Sequence, residues 1–295
     1  MDPAGEPPRT LRGEAPQPLR PAQGGRRQGR GRLVGEAALA GLVALALFVV
    51  TAYVALRTYE GQRVDREAMF AVSGPQDTVQ NAHEVLNTVS VGTVALVVLG
   101  CMVLALARRR WALSIAALVL VAGANLSTQL LKHELLSRTD FGLGTLNGLP
   151  SGHTTVVVSL ALAALLVSPT WLRTPVTLVG ACAATLIGVG TVVARWHRPS
   201  DVVAAVAVCV VWAAVALLIA AAAGHGYRRR LARRGQGHWV ALLGALTVGV
   251  LVVFAGIRPS GSPGSLDLVV GALSLIGLAC ALAVGWMSHV ARHLD

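Results

Sequence analysis

The stretch RWHRPSDVVAAVAVCVVWAAVALLIAAAA, residues 195–223, decides the fold. A polar opening, Arg195-Trp196-His197-Arg198-Pro199-Ser200-Asp201, gives way to a run with no charge as far as Ala223. That run is long enough to cross a bilayer as a helix, which takes about 20 apolar residues. It is continuous rather than alternating, so it does not fit a strand of a membrane β-barrel. Its Val and Ala content does not argue for strands either, because an open sheet edge cannot be satisfied in lipid. Pro199-Ser200-Asp201 has the character of a helix start, with Pro tolerated in the first turn.

Working outward, seven further apolar runs appear. The eight spans lie near 34–56, 87–107, 111–131, 153–169, 174–194, 200–223, 239–256 and 267–287. The chain is 54% hydrophobic and 13% charged, and soluble domains carry about twice that charge. The expected fold class is therefore all-α, a polytopic membrane helical bundle. A six-helix core over 34–223 is followed by a basic linker, 224–238, and a C-terminal two-helix hairpin with a short tail, 239–295. Residues 1–33, rich in Pro, Gly and Arg, are expected to be a disordered basic tail. A signal peptide is not expected, because the polar stretch is long and the apolar run after it exceeds an h-region. Cys101, Cys182, Cys209 and Cys280 fall inside apolar runs and suit small buried hydrophobes rather than a disulfide framework.

The net charge of +11 does not make this a nucleic-acid binder. The basic residues sit in the tail and in short connections, as topology signals and contacts to anionic lipid do. With the N-terminus in the cytoplasm, the tail, Arg108 to Arg110, Arg173, the arginines between 228 and 234, and Arg292 are inside, which is 17 of the 25 basic residues. The C-terminus is then also cytoplasmic, and the polar islands face the exterior of the cell membrane. The first outer loop, 57–86, is acidic and polar. It has room for a surface helix and is expected to be a solvated loop, with a lid over the site as the alternative.

Three islands carry the candidate chemistry. His197 and Asp201 are four apart and share one face of a helix. A carboxylate on one ring nitrogen fixes the tautomer and raises the basicity of the other, which makes His197 a candidate nucleophile oriented by Asp201. Pro150-Ser151-Gly152-His153 opens another span. Backbone N–H groups there point at an anion, and Gly152 lets it come close. Ser151 offers a hydroxyl or simply caps the helix. His153 is placed to act as a general acid. Lys132, the only lysine of the chain, and Arg138 follow the third span and supply cations.

Lys132…Arg138, Pro150-Ser151-Gly152-His153 and His197…Asp201, in that order, resemble the signature motifs of the phosphatidic acid phosphatase type 2 superfamily, which includes bacterial undecaprenyl-diphosphate phosphatases. The resemblance covers about 87–223. It implies a lipid phosphatase acting on a lipid phosphate or isoprenoid diphosphate. In it His197 attacks phosphorus to give a phosphohistidine, Asp201 orients it, and His153 protonates the leaving group. Lys132, Arg138, Ser151 and the Gly152 backbone hold the phosphoryl oxygens, with no metal or other cofactor. The expected partners are a membrane lipid substrate and the bilayer.

Departures stand out. Thr139 replaces the Pro expected after the first-motif Arg, and five residues rather than six separate Lys132 from Arg138. Thr191 stands where the third motif has an Arg, six before its His, so Arg195 is the candidate replacement and Arg198 a further one. Other readings fit less well. A zinc site from His153, His197 and Asp201 has the right ligand types but faces flanking cations that repel a divalent ion. A serine hydrolase on Ser151 lacks a nucleophile elbow. A transporter would carry charges within its spans, and these are almost charge-free. A phosphotransferase would use the same residues with another acceptor.

Overall fold

The structure is a computed structural model describing residues 23–72, 76–87, 99–100, 103, 109–144, 146–226, 236–254 and 265–294. Among these residues the regular structure is entirely helical. In chain order the helices are α1 (Gln23–Arg57), α2 (Tyr59–Val72), α3 (Gln76–Asn87), α4 (Trp111–Leu130, continued by a π turn Leu131–Leu135), α5 (Gly152–Val167), α6 (Arg173–Val193), α7 (Pro199–Ala222), α8 (Gln236–Phe254) and α9 (Ser265–Ala291). The expected span at 87–107 and the basic cluster at 228–234 lie almost wholly or wholly outside the described residues.

Five helices are long and apolar enough to cross a membrane: α1, α4 with its π turn, α6, α7 and α9. α5 and α8 are shorter apolar helices. The chain is thus an all-α polytopic bundle. α7 is the most buried of the five long spans. It packs against α1, α4, α5 and α9, which makes it the axis of the bundle. Small side chains allow this: Ala204, Ala205, Ala213, Ala216 and Ala220 on α7 are all buried, and small residues let helices approach closely in lipid. Gly224, at φ 89°, ends α7 in the left-handed conformation that glycine adopts without penalty.

Two expectations change on contact with the structure. α1 begins at Gln23, so the last part of the 1–33 tail is helical rather than disordered; residues 1–22 are outside the described part. The 57–86 segment carries the helix its sequence left room for, packed into the bundle rather than solvated. It folds into α2 and α3, and α2 buries Gln62, Asp65, Ala68, Ala71 and Val72 while packing against α1, α6, α7 and α9. The hairpin also docks on the core, with α9 against α5, α6 and α7 and α8 against α6.

Candidate active site

The three islands meet at one end of the bundle, where α1, α4 and α6 end and α5, α7 and α9 begin. Backbone hydrogen bonds and amide side chains join them. Asn147 donates Nδ2 to the carbonyls of Lys132 (3.2 Å) and Leu136 (2.9 Å), and its Oδ1 accepts from Leu149 N at 3.1 Å. That fastens the first island to the second. Ser151 N donates to the Asp201 carbonyl at 2.9 Å, fastening the second to the third.

The third island is set by the way α6 stops. Arg195 adopts φ 60°, a left-handed conformation uncommon for a non-glycine residue and found at functional turns. The Thr191 carbonyl then accepts from both Trp196 N (3.0 Å) and His197 N (3.1 Å). His197 is carried to the mouth of α7, where Nδ1 lies 3.2 Å from Asp201 Oδ2. The same Oδ2 accepts from Arg198 N at 3.0 Å. With Nδ1 facing the carboxylate, Nε2 is the ring nitrogen left for chemistry. His197 and Asp201 are both buried, which strengthens their interaction.

His153 stands in the first turn of α5. Lys132 and His197 are both near enough to act on it electrostatically. Its ring lies 5.3 Å, centroid to centroid, from Trp196, and Trp196 stacks at 4.9 Å on His83 of α3. His83 in turn meets the Ala194 carbonyl through Nε2 at 3.2 Å. A chain of ring contacts therefore runs from α3 to His153. Lys132 lies in the π turn, partly exposed; such turns recur at functional sites.

The cations divide into two groups. Arg138 is buried, with NH1 donating to the Ala55 carbonyl at 2.9 Å and NH2 4.0 Å from Asp201 Oδ1. Burial, and then the neighbouring Arg198 charge, hold its pKa below the ordinary arginine value. Arg138 was expected to hold phosphate; its guanidinium is placed between the α1 carbonyl and the Asp201 carboxylate. Arg195 is exposed, and its guanidinium lies 5.4 Å from the centre of the Phe70 ring of α2. Arg198 NH2 donates to the Leu143 carbonyl at 3.0 Å.

Ser151 is fully buried as the cap of α5. Its Oγ accepts from Thr154 Oγ1 at 3.0 Å and from Thr154 N at 3.4 Å, so its first role is structural. Gly152 borders open space, where an added Cβ would meet only Gln129 Nε2 at 3.8 Å. Two of the three departures make local bonds. Thr139 N donates to the Leu56 carbonyl at 3.0 Å, a bond proline could not make. Thr191 is buried, with Oγ1 donating to the Gly188 carbonyl at 2.8 Å.

Sequence reasoning missed Gly148, Asp65, His83 and Trp196. A Cβ on Gly148 would overlap Asp201 Oδ2 and lie 3.2 Å from His197 Nδ1. Asp65 of α2 accepts from Ser200 N (3.0 Å) and Ser200 Oγ (2.5 Å). Burial, reinforced by the Asp201 charge, raises its pKa to about 6 against the pull of Ser200 and Arg198.

All three islands lie between Lys132 and Asp201, in one continuous part of the chain. Residues 127–225 match the PAP2 superfamily model. The resemblance drawn from the islands is borne out over that segment. Members of the PAP2 superfamily are phosphatases, and the match supports a phosphoric ester hydrolase of the lipid phosphatase type. Searches of curated proteins and of solved structures found no significant match. α1, α2 and α3, which touch the site, lie before the PAP2 segment, and α8 and α9 after it.

Proposed function

We propose that the protein hydrolyses a lipid phosphate or isoprenoid diphosphate through a phosphohistidine on His197, at the extracytoplasmic face of the cell membrane. The observation that carries this is the His197–Asp201 pair, with His153 nearby, inside the PAP2 segment. His197 Nε2 attacks phosphorus, and the bond from phosphorus to the leaving oxygen breaks. His153 gives that oxygen its proton. His153, now neutral, takes a proton from water as the water attacks the phosphohistidine, releasing phosphate and restoring both histidines. Asp201 holds His197 in one tautomer and stabilises the positive ring. Arg138 supports Asp201 from behind. Lys132, Arg195 and the Gly152 amide hold the phosphoryl oxygens, with Ser151 shaping the turn that presents that amide. Fixed cations and amides supply the electrostatic stabilisation.

The bulk of Lys and Arg outside the islands falls on the opposite side of the spans, which supports an outward-facing site. The islands sit at helix ends among apolar spans, which suits a substrate entering sideways from the bilayer. A C55 isoprenoid diphosphate such as undecaprenyl diphosphate is the first substrate to try, with phosphatidic acid and phosphatidylglycerophosphate beside it.

The test is phosphate release by purified protein in detergent with excess EDTA, for wild type and His197→Ala. Release that survives EDTA, together with an acid-labile phosphoenzyme, both lost in the variant, is the expected result. Near wild-type turnover by His197→Ala would remove the nucleophile assignment.

A further inference from the structure

The geometry points to Asp65, on a helix outside the PAP2 segment, as a positioning residue that completes the N-terminus of α7 and so holds Asp201 and His197 in register. This inference rests on the phosphohistidine reading above. The first N–H groups of a helix have no partner within it, and a Ser, Thr, Asp or Asn at the cap ordinarily accepts from them. The cap of α7 is Arg198, whose guanidinium has no acceptor. Its first helical residue is Pro199, which has no N–H to satisfy.

Asp201 N turns back to the Arg198 carbonyl at 3.0 Å, and the remaining donors are shared between two carboxylates. Asp201 takes the Arg198 N–H, and Asp65 takes the N–H and hydroxyl of Ser200. Asp201 thus bonds backward, and the same oxygen, Oδ2, meets His197 Nδ1. Were Asp65 absent, the Ser200 N–H would be left at a partly buried helix start, and Asp201 would be the nearest carboxylate on α7 able to serve it. A turn of Asp201 in that direction would draw Oδ2 from His197.

Asp65 does not reach this position by chance of a flexible loop. Gln62, one turn earlier on the same face of α2, is fully buried. Its Nε2 donates to the carbonyls of Leu56 (3.1 Å) and Thr139 (2.9 Å). Ala68 and Val72 continue that face into the core. α2 is therefore a strut, with Gln62 fixed to the first island and Asp65 to the third.

The experiment compares wild type, His197→Ala, Asp65→Ala and Asp65→Asn, purified in detergent, for phosphate release and for amide hydrogen exchange. Asn at 65 keeps an acceptor for Ser200 N, and its amide can donate to Ser200 Oγ. Asp65→Ala is expected to lower kcat about tenfold or more, with KM within about twofold, the size of one lost charge-assisted hydrogen bond. Asp65→Asn should recover to within about threefold of wild type. Exchange over residues 198–202 should quicken in Asp65→Ala and return toward wild type in Asp65→Asn. Wild-type kcat in Asp65→Ala, a loss confined to KM, or an Asn variant as slow as the Ala variant would each overturn the inference. The exchange readout needs no turnover: a failed phosphatase reading shows as activity unaffected by His197→Ala, whereas unchanged exchange at 198–202 sinks the role of Asp65 alone.

Discussion

Replacing Gly148 with Ala tests the His197–Asp201 pair without touching either residue. The new Cβ would overlap Asp201 Oδ2 and crowd His197 Nδ1 at 3.2 Å. Gly148 is not in the left-handed region, so alanine brings no backbone penalty of its own and the whole effect is the contact. Asp201 cannot yield cheaply, because Oδ2 is fixed by Arg198 N at 3.0 Å and by His197 at 3.2 Å. To restore ordinary van der Waals separation, the carboxylate must retreat by about 1 Å. A displacement of that size at a reacting constellation costs on the order of 10²-fold in rate, or about 2.7 kcal/mol of barrier. The assay is steady-state phosphate release at saturating lipid, with acid-quenched phosphoenzyme measured in parallel. We expect kcat to fall about 100-fold with both the rate and the level of phosphoenzyme reduced, and KM little changed. A Gly148→Ala protein with wild-type kcat would refute the reasoning, because the pair would then tolerate a displacement that oriented nucleophilic attack does not.

The remaining predictions separate neighbouring roles. Gly152→Ala places its Cβ in open space beside Gln129, so thermal stability should not change; activity should fall about tenfold if an anion occupies that space, and full activity would take the Gly152 amide out of the phosphate site. Arg138→Ala leaves Asp201 without its buried cation and should destabilise the protein by about 3 kcal/mol, with kcat reduced; a stable variant whose only defect is a raised KM would return Arg138 to phosphate binding. Asp65 has a folded-state pKa of about 6, above its ordinary value, so the native state binds the proton more tightly and wild type loses stability as pH rises from about 4 through 6. Asp65→Asn lacks that loss, so its advantage in thermal unfolding should grow across this window to at most about 3 kcal/mol and level off above it; parallel stability curves for the two proteins would show that Asp65 is not held in this state.

The bundle and the islands were legible because charge is rare in this chain. His153, His197 and Asp201 stand out where long apolar runs begin, and the 195–223 stretch carries both a site and a span. The role of Arg138 was harder to read. In a sequence its charge suggests a phosphate ligand, and only the fold shows that the Ala55 carbonyl and Asp201 surround it. Asp65 and Gln62 were hidden for the opposite reason: a polar residue in a polar segment between spans resembles solvated surface. One signal was present, the spacing of 62, 65, 68 and 72 along one helical face, but a stripe that mixes Gln and Asp with Ala and Val does not register as a buried face. Gly148 left no signal at all, since its importance lies in a through-space approach to a residue more than fifty positions away.

The site is assembled by helix ends, and residues of segments outside the family match bond to it. Within the PAP2 segment, α7 begins with an Arg cap and a Pro, neither of which can accept the Ser200 N–H. The first island likewise lacks internal partners: Arg138 and Thr139 turn to the carbonyls of Ala55 and Leu56 at the end of α1. In water these groups could bond to solvent. Buried or partly buried between helices they have little access to it, and each unmet buried polar group costs about 1–3 kcal/mol. α1 and α2 supply what is missing, with terminal carbonyls that α1 cannot use itself and with the Gln62 and Asp65 side chains. In the proposed mechanism the motif residues provide the reacting atoms. The preceding helices hold the turns that carry those residues, through Gln62 on the Thr139 carbonyl and Asp65 on Ser200, and with Thr139 and Thr191 in place of the expected Pro and Arg His197 still lies against Asp201.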